Sequence, residues 1–194
     1  MKNTKAEVAA RTRAALEAAA RKLFETRGFA AVSAEEIVAA AGVTRGALYH
    51  HYQGKEGLFE AVAEAAMQRL HENIAPAPGT ATDAVDSLKH GVRRFLELSA
   101  APRTQRILFI DAPLVMGWQR WRQMDARYGL GLLKRAVAAG MAQGSLRPGP
   151  PEMVAHVLLS AMIETSMIIA AAPRKRDARA QAEAVLDRVI DSFR

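Results

Sequence analysis

Apolar residues recur along most of this chain at intervals of three and four positions, which is the period of one face of an α-helix. Strict alternation of apolar and polar residues, the mark of a half-buried strand, is nearly absent. The pattern predicts an all-α protein of about nine helices, over residues 8–26, 34–41, 45–51, 55–73, 83–99, 104–111, 117–143, 152–171 and 178–193. The run at 104–111 could also be a buried strand, but no partner strand is predicted in the chain.

Proline and glycine mark the predicted breaks between these helices. The run Ala-Pro-Ala-Pro-Gly at 75–79 predicts a linker, and Pro113 is expected to end the sixth helix. Residues 1–8 are expected to form a flexible basic arm. Gly129 and Gly131 form a Gly-x-Gly pair, but no strand precedes it, so close helix crossing explains the pair better than a nucleotide-binding loop.

The second and third predicted helices carry the clearest local signals. Ser33 is a good N-cap, Gly42 suits the left-handed turn that ends a helix, and Thr44 caps the next helix. Two short helices joined by a glycine-containing turn form a helix-turn-helix. The second of these helices carries side chains suited to phosphates and base edges, and an ordinary helical hairpin is the alternative interpretation.

The run LYHHYQGKEGLFEAV at 48–62 resembles the TetR family of bacterial transcriptional regulators. In that family the recognition helix ends in Leu-Tyr-x-His-aromatic, and Lys-Glu-x-Leu-aromatic opens the fourth helix. The matching residues are Leu48, Tyr49, His51, Tyr52, Lys55, Glu56, Leu58 and Phe59, with Ala18, Phe24, Gly28, Ile37, Ala41, Gly42 and Val43 upstream. The resemblance implies a helix-turn-helix DNA-binding domain over residues 1–54 and a helical effector-binding and dimerisation domain over residues 55–194.

The resemblance also assigns roles in DNA binding. The expected DNA-binding residues are Ser33, Thr44, Arg45, Gly46, Tyr49, His50, His51 and Lys55. We expect Arg45 and His50 to face base edges, Tyr49 and Lys55 to contact phosphates, and Gly46 to allow close approach to the groove. His51 is expected to contact a phosphate or to pack. Glu35 departs from the basic or neutral residue of many relatives, so its carboxylate is expected to point away from DNA or to exclude wrong sites.

The composition fits a DNA partner. The formal charge is +7, and residues 1–55 hold nine Lys and Arg against five Asp and Glu. The absence of cysteine excludes disulfides and thiolate metal sites, and no cofactor or metal is expected. The basic N-terminal segment has no apolar core, and no uninterrupted apolar run has the length of a membrane span. A cytoplasmic bacterial protein, nucleoid-associated when bound to DNA, is therefore expected.

The last two predicted helices carry more apolar surface than a small domain can cover. A twofold four-helix bundle would bury that surface, and the resemblance implies a homodimer through the same two helices. The residues expected in the interface are His156, Ser160, Ile163, Val185, Val189 and Phe193.

An effector site is expected among the middle helices, where large and soft side chains are frequent. The expected ligand-binding residues are Phe109, Asp111, Trp118, Trp121, Met124, Tyr128, Met162, Glu164 and Met167. The predicted ligand is mainly apolar, with a donor or cationic group held by Asp111 or Glu164. Plain core packing is the alternative for each of these residues, and Glu164 could instead pair with an arginine across the dimer.

Together with these observations, the resemblance implies a ligand-responsive transcriptional regulator, a repressor that a small effector releases from a near-palindromic operator. A small helical enzyme is the first alternative, with His156, Glu164 and Asp111 as its ionisable groups. No Gly-x-Ser-x-Gly, His-Glu-x-x-His or cysteine nucleophile supports it. A protein-binding adaptor is the second alternative, and it leaves the composition of residues 44–55 unexplained.

Overall fold

The computed structural model describes residues 4–74 and 83–194, and all regular structure in that part of the chain is helical. The first five helices are α1 (Lys5–Arg27), α2 (Ala34–Ala41), α3 (Arg45–Tyr52), α4 (Lys55–Glu72) and α5 (Ala84–Ser99). Helix α6 comprises Pro102–Thr104, Gln105–Asp111 and Ala112–Met116, and α7 comprises Trp118–Asp125, Ala126–Leu130 and Gly131–Ala142. The last two are α8 (Pro151–Ala171) and α9 (Lys175–Asp191). The predicted all-α class is confirmed.

The described residues form two compact units. Unit 1 comprises the chain up to Ala66 together with Arg106–Trp121, and unit 2 comprises Met67–Gln105 together with Arg122–Arg194. Helices α4, α6 and α7 therefore contribute residues to both units. The predicted functional division between residues 54 and 55 stays a prediction.

Capping interactions build the α2–α3 pair in unit 1. The Ser33 hydroxyl oxygen accepts a hydrogen bond from the Glu36 backbone N–H, and the Glu36 carboxylate accepts one from the Ser33 backbone N–H. Gly42 ends α2 in the left-handed region with a φ of 65°, where a side chain would be strained. The Thr44 hydroxyl oxygen then accepts from the Ala47 N–H at 3.3 Å and caps α3. The predicted caps and the turn glycine are confirmed.

The start of α4 lies directly against the end of α3. A Cβ atom added to Gly57 would lie 2.0 Å from the Tyr52 carbonyl oxygen, so only glycine fits there. Gln53 ends α3 in the left-handed region, with a φ of 61°. This short connection sets the position of α3 relative to the first turn of α4.

Helix α6 departs from its prediction at Pro113, which does not end it. The segment Gln105–Asp111 is π-helical, and Ala112–Met116 continues the chain in an α-helical conformation. Pro113 is the second residue of that last segment and lies directly after the π-helical turn. Gly117, with a φ of 78°, ends the helix instead.

Two predictions at the chain's breaks had different outcomes. The flexible arm predicted for residues 1–8 is wrong from Lys5 onward, because α1 begins there. Its start is stabilised by a capping box, in which the Thr4 hydroxyl oxygen accepts from the Glu7 N–H and the Glu7 carboxylate accepts from the Thr4 N–H. Residues 1–3 and the linker predicted at 75–79 lie outside the described residues.

Helix α8 is the central helix of unit 2. Its length and composition would suffice to cross a membrane, but one side of it is core in this structure. The side chains buried there are Ala155, Leu158, Leu159, Met162, Ile163, Ser166 and Ile169. The other side of α8 is open in the single chain, because Met153, Val157 and Ile168 are each more than half exposed.

Candidate DNA-binding surface and effector cavity

Helix α3 has one side fixed to unit 1 and one side open to solvent. Leu48 is completely buried, and the Tyr52 hydroxyl donates a hydrogen bond of 2.6 Å to Glu17 on α1. These contacts hold α3 in a single orientation. The predicted DNA-binding residues that this orientation leaves exposed are Thr44, Arg45, Gly46, Tyr49 and His50.

Arg45 makes three contacts on this open side. Its guanidinium lies 3.0 Å from the Glu35 carboxylate and donates to the Tyr49 hydroxyl at 3.3 Å, and its Cζ lies 5.4 Å from the centre of the Tyr49 ring. Arg45 and Glu35 side chains are both more than half exposed, so water and salt screen the ion pair. Arg45 is therefore positioned by its neighbours but free to exchange a weak partner for a stronger one.

The structure also locates Glu35, which departs from the family pattern. Its carboxylate faces the first turn of α3 rather than away from it, because Arg45 holds it there. The negative charge of the Glu35 carboxylate repels DNA phosphates, and pairing with Arg45 reduces that repulsion. This arrangement is compatible with the predicted role of Glu35 in excluding wrong sites, which stays a prediction.

Gly46 and the two histidines occupy different positions on α3. A Cβ atom added to Gly46 would meet only the Thr44 hydroxyl oxygen, at 3.8 Å, so the fold itself does not require glycine. The rings of His50 and His51 lie 4.9 Å apart, with His50 exposed and His51 half-buried next to Tyr52. A packing role for His51 agrees with this placement.

Lys55 has structural contacts that its predicted phosphate role did not include. Its ammonium donates to the carbonyl oxygens of Phe29 and Val32, at 3.1 and 2.9 Å, and lies 3.9 Å from the centre of the Phe29 ring. These bonds tie the start of α4 to the turn before α2. An ammonium has three donors, so one remains for a phosphate. Ser33, also predicted to bind DNA, is half-buried and uses its hydroxyl oxygen as the cap of α2.

Unit 2 contains a cavity of ≈ 180 Å³ between α4, α5, α7 and α8. Most of its wall is apolar, and the large side chains there include Ile74, Leu88, Val92, Phe95, Leu133 and Leu159. His71 and Ser87 are the polar residues of the wall, and no charged side chain belongs to it among the described residues. An apolar cavity with a few polar groups is the usual form of a small-molecule site.

His71 has a defined protonation state in this cavity. It is 7% exposed, and its Nδ1 lies 2.8 Å from the Met67 carbonyl oxygen, so Nδ1 carries the proton and donates. Burial lowers the pKa of His71, which keeps the imidazole neutral near pH 7. The ring lies 6.3 Å from that of Tyr128, with 25° between the planes. Nε2 is therefore an acceptor, and the described residues offer it no hydrogen-bond donor.

Gly129 provides the space that the His71 ring occupies. A Cβ atom added to Gly129 would lie 2.8 Å from His71 Nε2 and 3.5 Å from Leu159 Cδ1. The predicted close helix crossing is therefore confirmed at Gly129. At Gly131 it is wrong, because an added Cβ would meet only the Arg135 guanidinium, at 3.5 Å.

The predicted effector residues are divided between the two units. Phe109, Asp111, Trp118 and Trp121 belong to unit 1. There the Asp111 carboxylate accepts from the Phe29 backbone N–H at 2.9 Å, and the Trp121 indole donates to the Leu108 carbonyl oxygen at 2.7 Å. These polar groups thus have structural partners within the protein.

Only part of the remaining predicted set reaches the cavity. Met162 lines it, and Tyr128 stacks on His71, which lines it. Met124 is buried without belonging to the wall, while Glu164 and Met167 are exposed on α8. Ligand contacts by the residues outside the wall stay predictions.

The predicted dimer residues lie on α8, on α9 and just after α9. We define the α8 stripe as Met153, Val157, Ser160, Glu164 and Ile168, which recur every three or four residues and are all exposed. Of the predicted set, Ser160 belongs to the stripe, His156 is half-buried beside it, and Ile163 is buried within unit 2. On α9 and just after it, Val185 is exposed, whereas Val189 and Phe193 are half-buried.

Sequence reasoning missed His71 and Gly57, and it assigned no role to Asp125. Asp125 is 1% exposed and pairs with Arg122 at 3.1 Å, and burial raises its pKa to about 6 despite that arginine. Its position on the apolar side of the seventh helix was the signal available for it. Nothing in the local sequence around His71 indicates a cavity, because the cavity's other walls come from distant helices.

Two family profiles together match most of the chain. Residues 16–62 match the profile described as bacterial regulatory proteins, tetR family. Residues 85–193 match the profile described as tetracyclin repressor-like, C-terminal domain. The first covers the α2–α3 pair, and the second covers most of unit 2 and its cavity-forming helices.

Individual relatives give the same result. The transcriptional regulator TtgR of Pseudomonas putida is 34% identical over 154 residues, which is 72% of each chain. The transcriptional repressor BepR of Brucella suis is 34% identical over 110 residues, covering 56% of this chain and 52% of BepR. A crystal structure of a TetR-family regulator from Pectobacterium atrosepticum is 31% identical, with a TM-score of 0.82 over 98% of this chain and 97% of that one.

Proposed function

This chain belongs to the TetR family of DNA-binding transcriptional regulators, and on that premise we propose that it represses transcription from a near-palindromic operator until a small effector releases it. The family assignment makes the chain a regulator and not an enzyme. Members of the family bind operator DNA and a small molecule. We place the protein in the bacterial cytoplasm, where its DNA partner lies.

The observation that carries the proposal is the composition of the open side of α3. A capped helix start, an exposed arginine and an exposed tyrosine stand together on a short helix whose other side is fixed in unit 1. In the proposed complex Arg45 leaves Glu35 and donates to a base edge, while Thr44 and Tyr49 contact phosphates. Phosphate contacts supply affinity and the arginine supplies sequence preference.

The α8 stripe supports a homodimer. The exposed apolar side chains Met153, Val157 and Ile168 lie on the central helix of unit 2, and such exposure is costly in a monomer and typical of an interface. Together with Val185 on α9, these side chains would form a twofold four-helix contact. A twofold dimer presents two copies of α3 to successive major grooves, about 34–36 Å or a little more apart.

The cavity in unit 2 is the proposed effector site. It replaces the predicted group of Phe109, Asp111, Trp118 and Trp121, whose polar atoms have partners within unit 1. Its wall includes His71, in the last turn of α4, and α4 begins at Lys55, shortly after the end of α3. The effector acts by binding one state of the dimer more tightly than the other, since equal affinity for both would shift nothing.

An electrophoretic mobility shift with the DNA flanking the chain's own gene tests this function. The protein should retard one fragment in the presence of excess unrelated DNA, and the retarded band should disappear at higher salt. Thr44→Ala and Tyr49→Phe should each weaken the shift. Equal retardation of flanking and unrelated fragments would contradict the proposed function.

A further inference from the structure

The ligand chemistry of the unit 2 cavity follows from the few polar atoms in its wall. We propose that the cavity selects a small, neutral, one-ring molecule with a single hydrogen-bond donor, such as a phenol, and that His71 Nε2 is the acceptor for that donor. The inference rests on the proposed effector role of the cavity and adds the class of molecule that it binds.

The first argument is the orientation of His71. Its Nδ1 is committed to the Met67 carbonyl oxygen at 2.8 Å, so the opposite nitrogen has a lone pair and no proton. The side chain is more than nine-tenths buried and belongs to the cavity wall. Nε2 lies in a mostly apolar wall, where an acceptor without a donor forgoes a hydrogen bond. A ligand donor placed there satisfies it.

The second argument is the absence of charge from the wall. No lysine, arginine, aspartate or glutamate lines the cavity in the described part of the chain. Residues 75–82, outside that part, contain no ionisable side chain either. A carboxylate or an ammonium in this cavity would lose its hydration without gaining a partner. The site therefore discriminates against charged molecules of the same size.

The third argument is size. The cavity measures ≈ 180 Å³, and an apolar cavity of about 150 Å³ in another protein holds benzene. One ring with a small substituent and a hydroxyl group therefore fills the space. The His71 ring belongs to the wall, and the Tyr128 ring, which lies outside the wall, stacks on it with 25° between the planes.

Ser87 is the other polar residue of the wall and provides an internal control. Its hydroxyl donates to the Asp83 carbonyl oxygen at 3.1 Å, so it too can accept but has no donor to spare. Both polar groups can therefore accept a hydrogen bond from a donor on the ligand. The test must decide which of the two receives it.

The experiment measures binding of three related probes by isothermal titration calorimetry. The probes are 4-methylphenol, its methyl ether 4-methylanisole, and 4-methylbenzoate, each titrated into the full-length chain at pH 7.5. We expect 4-methylphenol to bind at least about tenfold more tightly than the ether, since one unsatisfied acceptor separates them. The benzoate should bind more weakly than either. Failure of the phenol to bind at millimolar concentration, or equal affinities for phenol and ether, would overturn the proposal.

Two variants and one control variant assign the preference to His71. His71→Phe keeps a ring but removes the acceptor, so the phenol should lose its advantage over the ether. Gly129→Ala keeps His71 but places a methyl group 2.8 Å from Nε2, and it should weaken phenol binding at least about tenfold even if His71→Phe does not fold. Ser87→Ala should leave the preference unchanged. A preference that survives in His71→Phe, or that disappears in Ser87→Ala, overturns the assignment.

A separate measurement of operator release distinguishes this inference from the proposed function. If 4-methylphenol binds with a His71-dependent preference but leaves operator DNA bound, the ligand chemistry is supported and the effector role of the cavity fails. If charged compounds release operator DNA equally well from His71→Phe and Gly129→Ala, the proposed ligand chemistry is overturned, whereas the proposed repressor function is supported.

Discussion

The α2–α3 pair and the unit 2 cavity are assembled in opposite ways. Residues 33–55 form the proposed DNA-binding surface, and each cap, turn and exposed side chain in it depends on neighbours a few positions away. The cavity takes its wall from residues between His71 and Met162 on several helices, and no single segment defines the space. A surface built from residues close in sequence suits DNA binding, which is common to the whole family. A cavity built from residues distant in sequence can change its ligand specificity through substitutions on several helices, and these leave the α2–α3 pair unaffected.

The largest expected effect concerns the junction of α3 and α4, where residues close in sequence pack together. Gly57→Ala places a Cβ atom 2.0 Å from the Tyr52 carbonyl oxygen, so backbone must move. We expect a loss of about 4 kcal/mol in the free energy of unfolding, the upper end for a single overpacked site. Denaturant unfolding followed by circular dichroism measures it.

Gly46→Ala is the matched control for that variant. Its Cβ would make only an ordinary contact at 3.8 Å, and alanine is the better helix former. Stability should stay the same or rise, and only DNA affinity should fall. Equal destabilisation by the two variants would show that close packing at the α3–α4 junction is not what Gly57 provides.

The dimer stripe gives the next largest effect. Val157→Asp puts a carboxylate into the proposed interface without a partner, so the dimer dissociation constant should rise at least 100-fold, about 2.7 kcal/mol. Analytical ultracentrifugation measures the change. Leu114→Asp, at a more exposed apolar position in unit 1, should leave the dimer intact. A Val157→Asp protein that stays dimeric at micromolar concentration would remove α8 from the interface.

Asp125 gives a pH test of unit 2. Its pKa is about 6 in the folded chain and about 3.9 in an unfolded one, so the folded state takes up a proton first as pH falls. The buried carboxylate is therefore most destabilising above pH 6, and this penalty is relieved between pH 6 and 4. The stability advantage of Asp125→Asn over the original chain should shrink by about 2 kcal/mol between pH 7.5 and 4.5. Asp177→Asn, at an exposed position, should show no such trend, and a pH-independent difference for Asp125→Asn would mean that the carboxyl is not buried as described.

The smallest expected effect separates two kinds of DNA contact on α3. Arg45→Ala should cost about 1–2 kcal/mol and relax the preference at one base position, if the arginine reads a guanine. Tyr49→Phe should weaken all sequences alike, because it loses only a phosphate contact. Fluorescence anisotropy with a set of single-base operator variants measures both. A uniform loss from Arg45→Ala would make it a phosphate contact as well.

The same contrast explains what could be predicted from the sequence. Helix periodicity, the Ser33 and Thr44 caps and Gly42 act through local geometry, so they were predictable and are confirmed. Pro113 was misjudged because the π-helical turn before it depends on packing rather than on local preference.

The effector site was predicted from residue types, and types alone did not find the cavity. Aromatic and methionine side chains are suited to a ligand wall and equally to a core. The Asp111 carboxylate is held by the backbone N–H of Phe29, which lies 82 residues earlier in the chain. The His71 ring fits because Gly129, on another helix, has no side chain, and no periodicity or motif connects the two residues.

The most direct test of the central claim is a DNase I footprint on the DNA flanking the chain's own gene. A dimer that presents two α3 helices predicts two protected half-sites related by a twofold axis, with centres about one helical turn or a little more apart. Protection should weaken steeply as salt rises, and Val157→Asp should abolish both half-sites together. A single unsymmetrical footprint, or protection with no sequence preference, would contradict this account.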